Sequence, residues 1–189
     1  EECTSSCAIG SICGGGTLMS HNPNLVVAPS NNEEGGCSGG YDCGVLDIET
    51  FAYANTTTSF SAISETDGRD NVTAINAWIA GNGGSLSDFP AFNVCDALDV
   101  TAFSDWYLPA KDELNLLLRN SDRCENNTEG PDPKECLNAS RATHPNIFGF
   151  ADNFYRSSTE NGAGFSYMQN FSDGKVDGGT TNLDPYSVR

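Results

Sequence analysis

Apolar residues recur with a helical period in three stretches of the chain. In "NVTAINAWIAG", Val72, Ile75, Trp78 and Ile79 fall on one face and Gly81 offers a stop, which predicts a helix over 71–81. "FPAFNVCDAL" repeats the pattern more weakly with Phe92, Cys95 and Leu98. The best-specified helix lies in "DWYLPAKDELNLLLRN", Asp105 to Asn120, where Leu114, Leu117 and Leu118 form one apolar stripe. Pro109 carries the fixed φ of a first helical turn. Asp112 and Glu113 put negative charge near the helix N-terminus, and Arg119 stands at the other end. This is a packing helix entered through a corner: Trp106 and Leu108 read as core anchors, and Glu113 as a local cap or partner.

Elsewhere the period is that of strands. "TLMSHNPNLVVAPS" reads as two short strands around an Asn-Pro turn, and "CGVLDIETFAYA" as a partly buried strand carrying Val45, Ile48 and Phe51. "NFYRSSTE", "GFSYMQNFSDGKVDGG" and "YSVR" read as three terminal strands, with Asp173-Gly174 as a hairpin turn. Between the last helix and these strands runs a polar loop rich in Asn, Pro and charge, an insertion at about 120–145 that cannot bury enough to be core. The pattern predicts an α+β fold, one domain over residues 1–189, with short antiparallel strands and two or three short helices. No internal repeat or heptad pattern is present.

Charge narrows the partners. Nine basic residues stand against 26 acidic ones, a net charge of −17. Such a chain repels phosphate backbones and anionic lipid surfaces, so neither nucleic acid nor a membrane surface is an expected partner. No apolar run approaches the ~20 residues that span a bilayer, so direct membrane insertion is not expected either. There is no basic-plus-apolar leader, and Glu1 reads as a processed terminus.

Cysteine usage points to an oxidising compartment. Cys3, Cys7, Cys13, Cys37, Cys43, Cys95, Cys124 and Cys136 make an even set without CxxC pairs, which predicts four disulfides with 105 conceivable connectivities. Cys124 with Cys136 ranks first among the pairings, because the bridge would close the polar loop and contribute up to ~3 kcal/mol; Cys37 with Cys43 ranks second. His21 and His144 are the only histidines and neither has metal-site spacing to a cysteine pair, so zinc is disfavoured. Five N-x-S/T triplets, at Asn55, Asn71, Asn126, Asn138 and Asn170, fit a secreted and glycosylated surface.

Candidate chemistry is thin. Ser157 and Ser158 are nucleophiles in name, but both histidines sit in loop-like surroundings and no base is in evidence, so no enzyme is expected. "SETDGRDN" and "SDGKVDGG" offer Asp67, Asp70, Asp173 and Asp177 as weak Ca²⁺ ligands; turn formation is the stronger reading of these pairs, and no cofactor is expected. Tyr155, Phe165, Tyr167 and Phe171 could stack on sugar rings if they face outward, or serve as core and cross-strand pairs.

Taken together, "SDWYLPAKDELNLLL", "YRSSTE", "FSYMQNFSDGKV" and the terminal "YSVR" resemble the extracellular domain family named for the C-terminal region of the Legionella collagen-like adhesin. "GGGTLM" and "NLVVAPS" resemble the start of its longer members, so the resemblance spans nearly the whole chain. It implies a C-type-lectin-like fold, here braced by disulfides, and a non-catalytic role in surface attachment or assembly. Trp106, Leu108, Pro109, Glu113, Leu114, Ser157, Ser158 and Glu160 are the motif positions. Two departures stand out. Arg156 takes the place of a second aromatic before Ser-Ser, altering an exposed or partly buried platform, and the acidic balance disfavours sulfated glycans. The expectation is an extracellular, secreted or cell-surface protein that forms a homo-oligomer or fibre with an adhesive role; the second expectation is a lectin-like module with a glycan ligand.

Overall fold

The computed structural model describes residues 12–13, 16–21, 24–27, 50–98, 104–120, 150 and 152–188, those before residue 50 and residues 119–120 by backbone alone. Three strands, β1 (Ile12–Cys13), β2 (Gly16–His21) and β3 (Asn24–Val27), form an antiparallel sheet in sequence order. β2 and β3 are the two short strands that the sequence predicts there, paired antiparallel with His21 opposite Asn24.

The second sheet positions the polar frame and the exposed apolar residues. It has five strands, β4 (Thr50–Ala52), β5 (Phe154–Glu160), β6 (Phe165–Asn170), β7 (Val176–Thr181) and β8 (Pro185–Ser187), in the order β4-β8-β5-β6-β7. Its ladders are antiparallel except β5 with β8, which run parallel at Tyr155 and Ser187. Gly174 takes the left-handed conformation, φ 74, that the Asp173-Gly174 turn between β6 and β7 requires. The strand "YRSSTE" is therefore the middle of a sheet, buried from Tyr155 to Glu160 although most of these residues are polar.

Three α-helices, α1 (Gly68–Asn82), α2 (Pro90–Asp96) and α3 (Lys111–Asn120), complete a mixed α+β domain. In α1, Ile75 is buried while Val72, Trp78 and Ile79 pack beside it, which is the predicted face. The helix runs past Gly81, because Gly83 (φ 75) supplies the left-handed cap and donates its N–H to Ile79 O at 2.9 Å. It also begins earlier than predicted, at the segment weighed as a cation loop: Asp67 is its N-cap, accepting from Arg69 N at 2.9 Å.

The apolar residues form two clusters. One gathers Tyr53, Phe60, Ile75, Phe89, Phe92, Leu108 and others between α1, α2 and the β4–β8 side of the sheet, with Trp106 half-buried against it. The other holds Leu114, Leu117 and Leu118 of α3 against Phe150, Tyr155 and Phe171. Leu108 is thus core, as the corner reading expects, and so is the α3 stripe, as its spacing predicts. Pro109 lies two residues ahead of α3 rather than in its first turn, and Ala110 accepts the first helical bond from Leu114 N at 2.9 Å.

The disulfide expectation needs one correction. Cys95 is a free thiol, 3% exposed in the larger cluster, where burial pushes its pKa up to about 12 with a smaller push from Asp96. It packs as a small hydrophobe on the inner face of α2. Cys3, Cys7, Cys37, Cys43, Cys124 and Cys136, the side chain of Cys13, Asn126, Asn138 and the loop insertion lie outside the described residues.

Candidate functional site: a buried polar frame and a neutral face

The corner "DWYLPAKDE" and the strand "YRSSTE" are far apart in sequence but bonded to each other. Ser158 N donates to Pro109 O at 2.8 Å, and Lys111 N donates to Thr159 Oγ1 at 3.0 Å. Asp112 N reaches Glu65 O at 2.7 Å. Two of the N–H groups that α3 leaves without a helical partner, those of Lys111 and Asp112, are therefore taken by other segments of the chain. Glu113 completes this set. Its Oε2 accepts from Ala110 N at 2.8 Å and from Gly68 N at 2.9 Å, and its Oε1 from Tyr107 OH at 2.8 Å, so one buried carboxylate caps its own helix and the start of α1. Spacing alone pointed to the first of these roles and not to the second.

The serines considered as nucleophiles belong to the same frame. Ser157 Oγ accepts from Thr159 N at 2.9 Å, and Ser158 Oγ accepts from Asn71 Nδ2 at 2.9 Å; both residues are buried. Asn71, one of the five glycosylation candidates, also holds Ser64 through both its side-chain atoms, at 2.8 Å each. It is 1% exposed, and a glycan on Nδ2 would replace one of its two donor hydrogens, so both donated bonds could not be kept. Asn170 is buried as well, its Oδ1 accepting from Ser172 N at 2.8 Å, whereas Asn55 is exposed beside Asp88.

Arg156 corrects the expectation of a platform residue. It is 1% exposed and among the largest fully buried side chains. Its guanidinium donates to Ser166 Oγ and to the carbonyl oxygens of Thr181 and Asp184, and it lies 4.9 Å from the Tyr186 ring centroid and 6.0 Å from that of Tyr53. Burial pulls its pKa down to about 10, so it stays protonated at neutral pH. The cation ties β5 to the turn between β7 and β8.

Glu160, the last residue of β5, holds the loop that precedes α1. Its carboxylate accepts from Phe60 N at 3.0 Å, Ala62 N at 3.2 Å and Ser59 Oγ at 3.2 Å, while its own N–H donates to Ala62 O at 2.7 Å. Ser61 between them has φ 62, a left-handed conformation rare for a residue other than glycine. Successive backbone N–H groups here form a concave nest of the kind that binds anions, and the chain fills it with its own glutamate. Burial raises the Glu160 pKa, with the hydrogen bonds opposing.

Above this pin the surface turns apolar. Ile63 is 70% exposed, Phe165 42% and Leu183 51%. All three border the β5–β6 turn: Ile63 follows Ala62, Phe165 O accepts from Asn161 N at 3.0 Å, and Asn182, next to Leu183, donates its N–H to Gly164 O at 2.9 Å. Of the aromatic candidates for sugar stacking, Tyr155 and Phe171 are core. Tyr167 is half-buried, with Lys111 Nζ 5.1 Å from its ring centroid and its hydroxyl donating to Asn161 Oδ1 at 3.0 Å. Ile63 and Leu183 escaped the sequence reading because each is a single apolar residue in a polar stretch.

The Ca²⁺ candidates are turn and cap residues. Asp67 caps α1 and Asp70 lies in its first turn; Asp173 Oδ1 accepts from Lys175 N at 3.0 Å, and Asp177 Oδ1 from Gly179 N at 2.8 Å. Among the described residues no three acidic, His or Cys side chains group together as metal ligands, and no helix is long and apolar enough to cross a membrane. Compared with known proteins, the chain matches no family model, no curated protein and no solved structure.

Proposed function

We propose that this protein is a non-catalytic extracellular module that works by association, as a self-assembling subunit of a surface appendage or fibre with an adhesive role. One observation carries the reading: the polar side chains at the motif positions are committed to holding the fold. Glu113, Ser157, Ser158, Thr159 and Glu160 are each buried; Glu113, Ser158, Thr159 and Glu160 bond to distant segments, and Ser157 bonds within its own strand. A catalytic group needs access to substrate and freedom to exchange protons or electrons. These residues have neither, and serve to present a surface.

The motif resemblance, with a C-type-lectin-like arrangement of the α+β scaffold and disulfides among the remaining cysteines, supports the same reading. The second reading is a secreted carbohydrate-binding module; the exposed Phe165 ring favours it. Light scattering and electron microscopy of the native protein across salt and Ca²⁺ concentrations test the proposal. Concentration-dependent assembly is the expected result. A protein that stays monomeric throughout, yet is retained on a glycan array, overturns it in favour of the lectin.

A further inference from the structure

We infer that copies of this chain meet through the neutral face around the β5–β6 turn, with Ile63, Phe165 and Leu183 packing against a second copy, and not by continuation of the sheet at β7. The inference rests on the association reading and names its surface.

Charge distribution selects the face. The chain carries −17, yet residues 50–64, 161–172 and 178–183 contain no acidic or basic side chain. The fold brings these stretches together. Ala54 N donates to Asn182 O at 3.1 Å, Asn182 N to Gly164 O at 2.9 Å, and a Cβ on Gly164 would lie 3.0 Å from Thr57. The result is a surface whose own segments carry no charge, bounded in sequence by Glu65, Asp177 and Asp184, with the Lys111–Glu65 ion pair (2.6 Å) beside Tyr167 at its margin. Two strongly acidic molecules can approach there without setting carboxylates against carboxylates. A cationic partner would be drawn elsewhere, to the acidic remainder.

Chemistry selects the occupant. A glycan site needs planar polar side chains that are both exposed and free to bond hydroxyls; around the β5–β6 turn Asn161 is engaged, Nδ2 donating to Gly178 O at 2.8 Å and Oδ1 accepting from Tyr167, Asn182 has no partner for its side-chain amide but is fully buried, and the Tyr167 ring lies 5.1 Å from Lys111 Nζ. What remains exposed is apolar side chains with small hydroxyls among them, which is best matched by a second copy of the same surface. Glu160 fixes the segment that carries Ile63 before any partner arrives, and this lowers the ordering cost of docking.

The strand edge is irregular and disfavours the alternative. β7 is an outer strand of the sheet among the described residues, but Gly178 O is taken by Asn161, Gly179 N by Asp177, and the ladder with β6 slips between Ser166 and Met168. Capped groups and an irregular register blunt an edge against strand addition.

Sedimentation of the full chain against concentration tests this, with Ile63→Glu and Leu183→Glu on the face and Ala77→Glu on the exposed side of α1 as the charge control. The face variants are expected to weaken self-association at least tenfold with unchanged thermal melting, and the control to leave it within twofold of the parent. If Ile63→Glu and Leu183→Glu fold and associate as tightly as the parent, the face is wrong while the association reading stands. If the parent itself never associates, that reading fails too.

Discussion

At the scale of single residues, the molecule depends on three buried charged groups. Glu113→Ala removes the acceptor for Gly68 N, Ala110 N and Tyr107 OH, leaving buried donors unpaired. A loss of about 2–4 kcal/mol is expected in urea denaturation, on the scale of about 1–3 per orphaned group. For Arg156 the opposing terms can be weighed. The fall of its pKa from 12.5 to about 10 corresponds to roughly 3 kcal/mol against burying the charge. Against this stand three hydrogen bonds from the guanidinium, about 1.5–3 kcal/mol each for a charged donor, while its Nε is buried without a partner. Arg156→Met fills much of the space but donates nothing, and should cost about 2 kcal/mol or more; equal or higher stability in the same assay would show that the burial term wins. Glu160 gives a pH signature. Its raised pKa means that, between the unfolded and folded pKa values, the folded state holds more of a proton than the unfolded state. Stability from this group therefore falls as pH rises through the interval between the unfolded and folded pKa values, and is level above it. The downward slope should be present in the parent and absent in Glu160→Gln.

At the scale of elements, the corner before α3 and the central strand β5 behave as one unit. Gly68 shows how tightly the parts meet: a Cβ there would lie 2.3 Å from Leu108 O and 2.6 Å from the Tyr107 ring. Gly68→Ala should therefore destabilise by about 3 kcal/mol or more, and hydrogen exchange should show α1 and the N-terminal turn of α3 loosening together. The periodic patterns of α1, α3, β6 and β7 were legible because each has an apolar stripe or a turn residue of its own. β5 was legible as a strand but its burial was not, because serine, threonine and arginine carry no signal of the partners that make their burial tolerable. The bounds of α1 shifted for a similar reason: Asp67 reads equally well as cap, turn or ligand until the helix it caps is seen.

At the scale of the whole molecule, self-repulsion limits association. Two unit charges of like sign about 4 Å apart cost roughly 1 kcal/mol in water and 4 near a protein surface, so a few misplaced carboxylates would cancel the gain from burying three apolar side chains. The neutral face avoids the close pairs but not the long-range repulsion between copies at −17. Raising ionic strength from 0.01 to 0.15 M shortens the screening length from about 30 to 8 Å and should strengthen self-association several-fold. An assembly that instead dissolves with added salt would point to ion pairs at the interface and against a neutral contact.

Length, the acidic balance, the cysteine count and the periodic stripes of α1 and α3 are properties that the sequence by itself determined, together with the charge-free stretches, since each is either a sum over residues or a pattern within a short window. What only the tertiary structure decided is where those stretches meet and what the polar residues do. Glu113 reaches Gly68, Glu160 reaches Phe60 and Ala62, and Arg156 reaches Asp184 across long separations in sequence. A side chain's spacing to its sequence neighbours says nothing of a partner the fold brings from elsewhere. For the same reason Tyr155 and Phe171 could be read as outward-facing rings until α3 was seen to cover them, while Ile63 and Leu183, unremarkable in their own windows, became a surface once the β5–β6 turn stood between them.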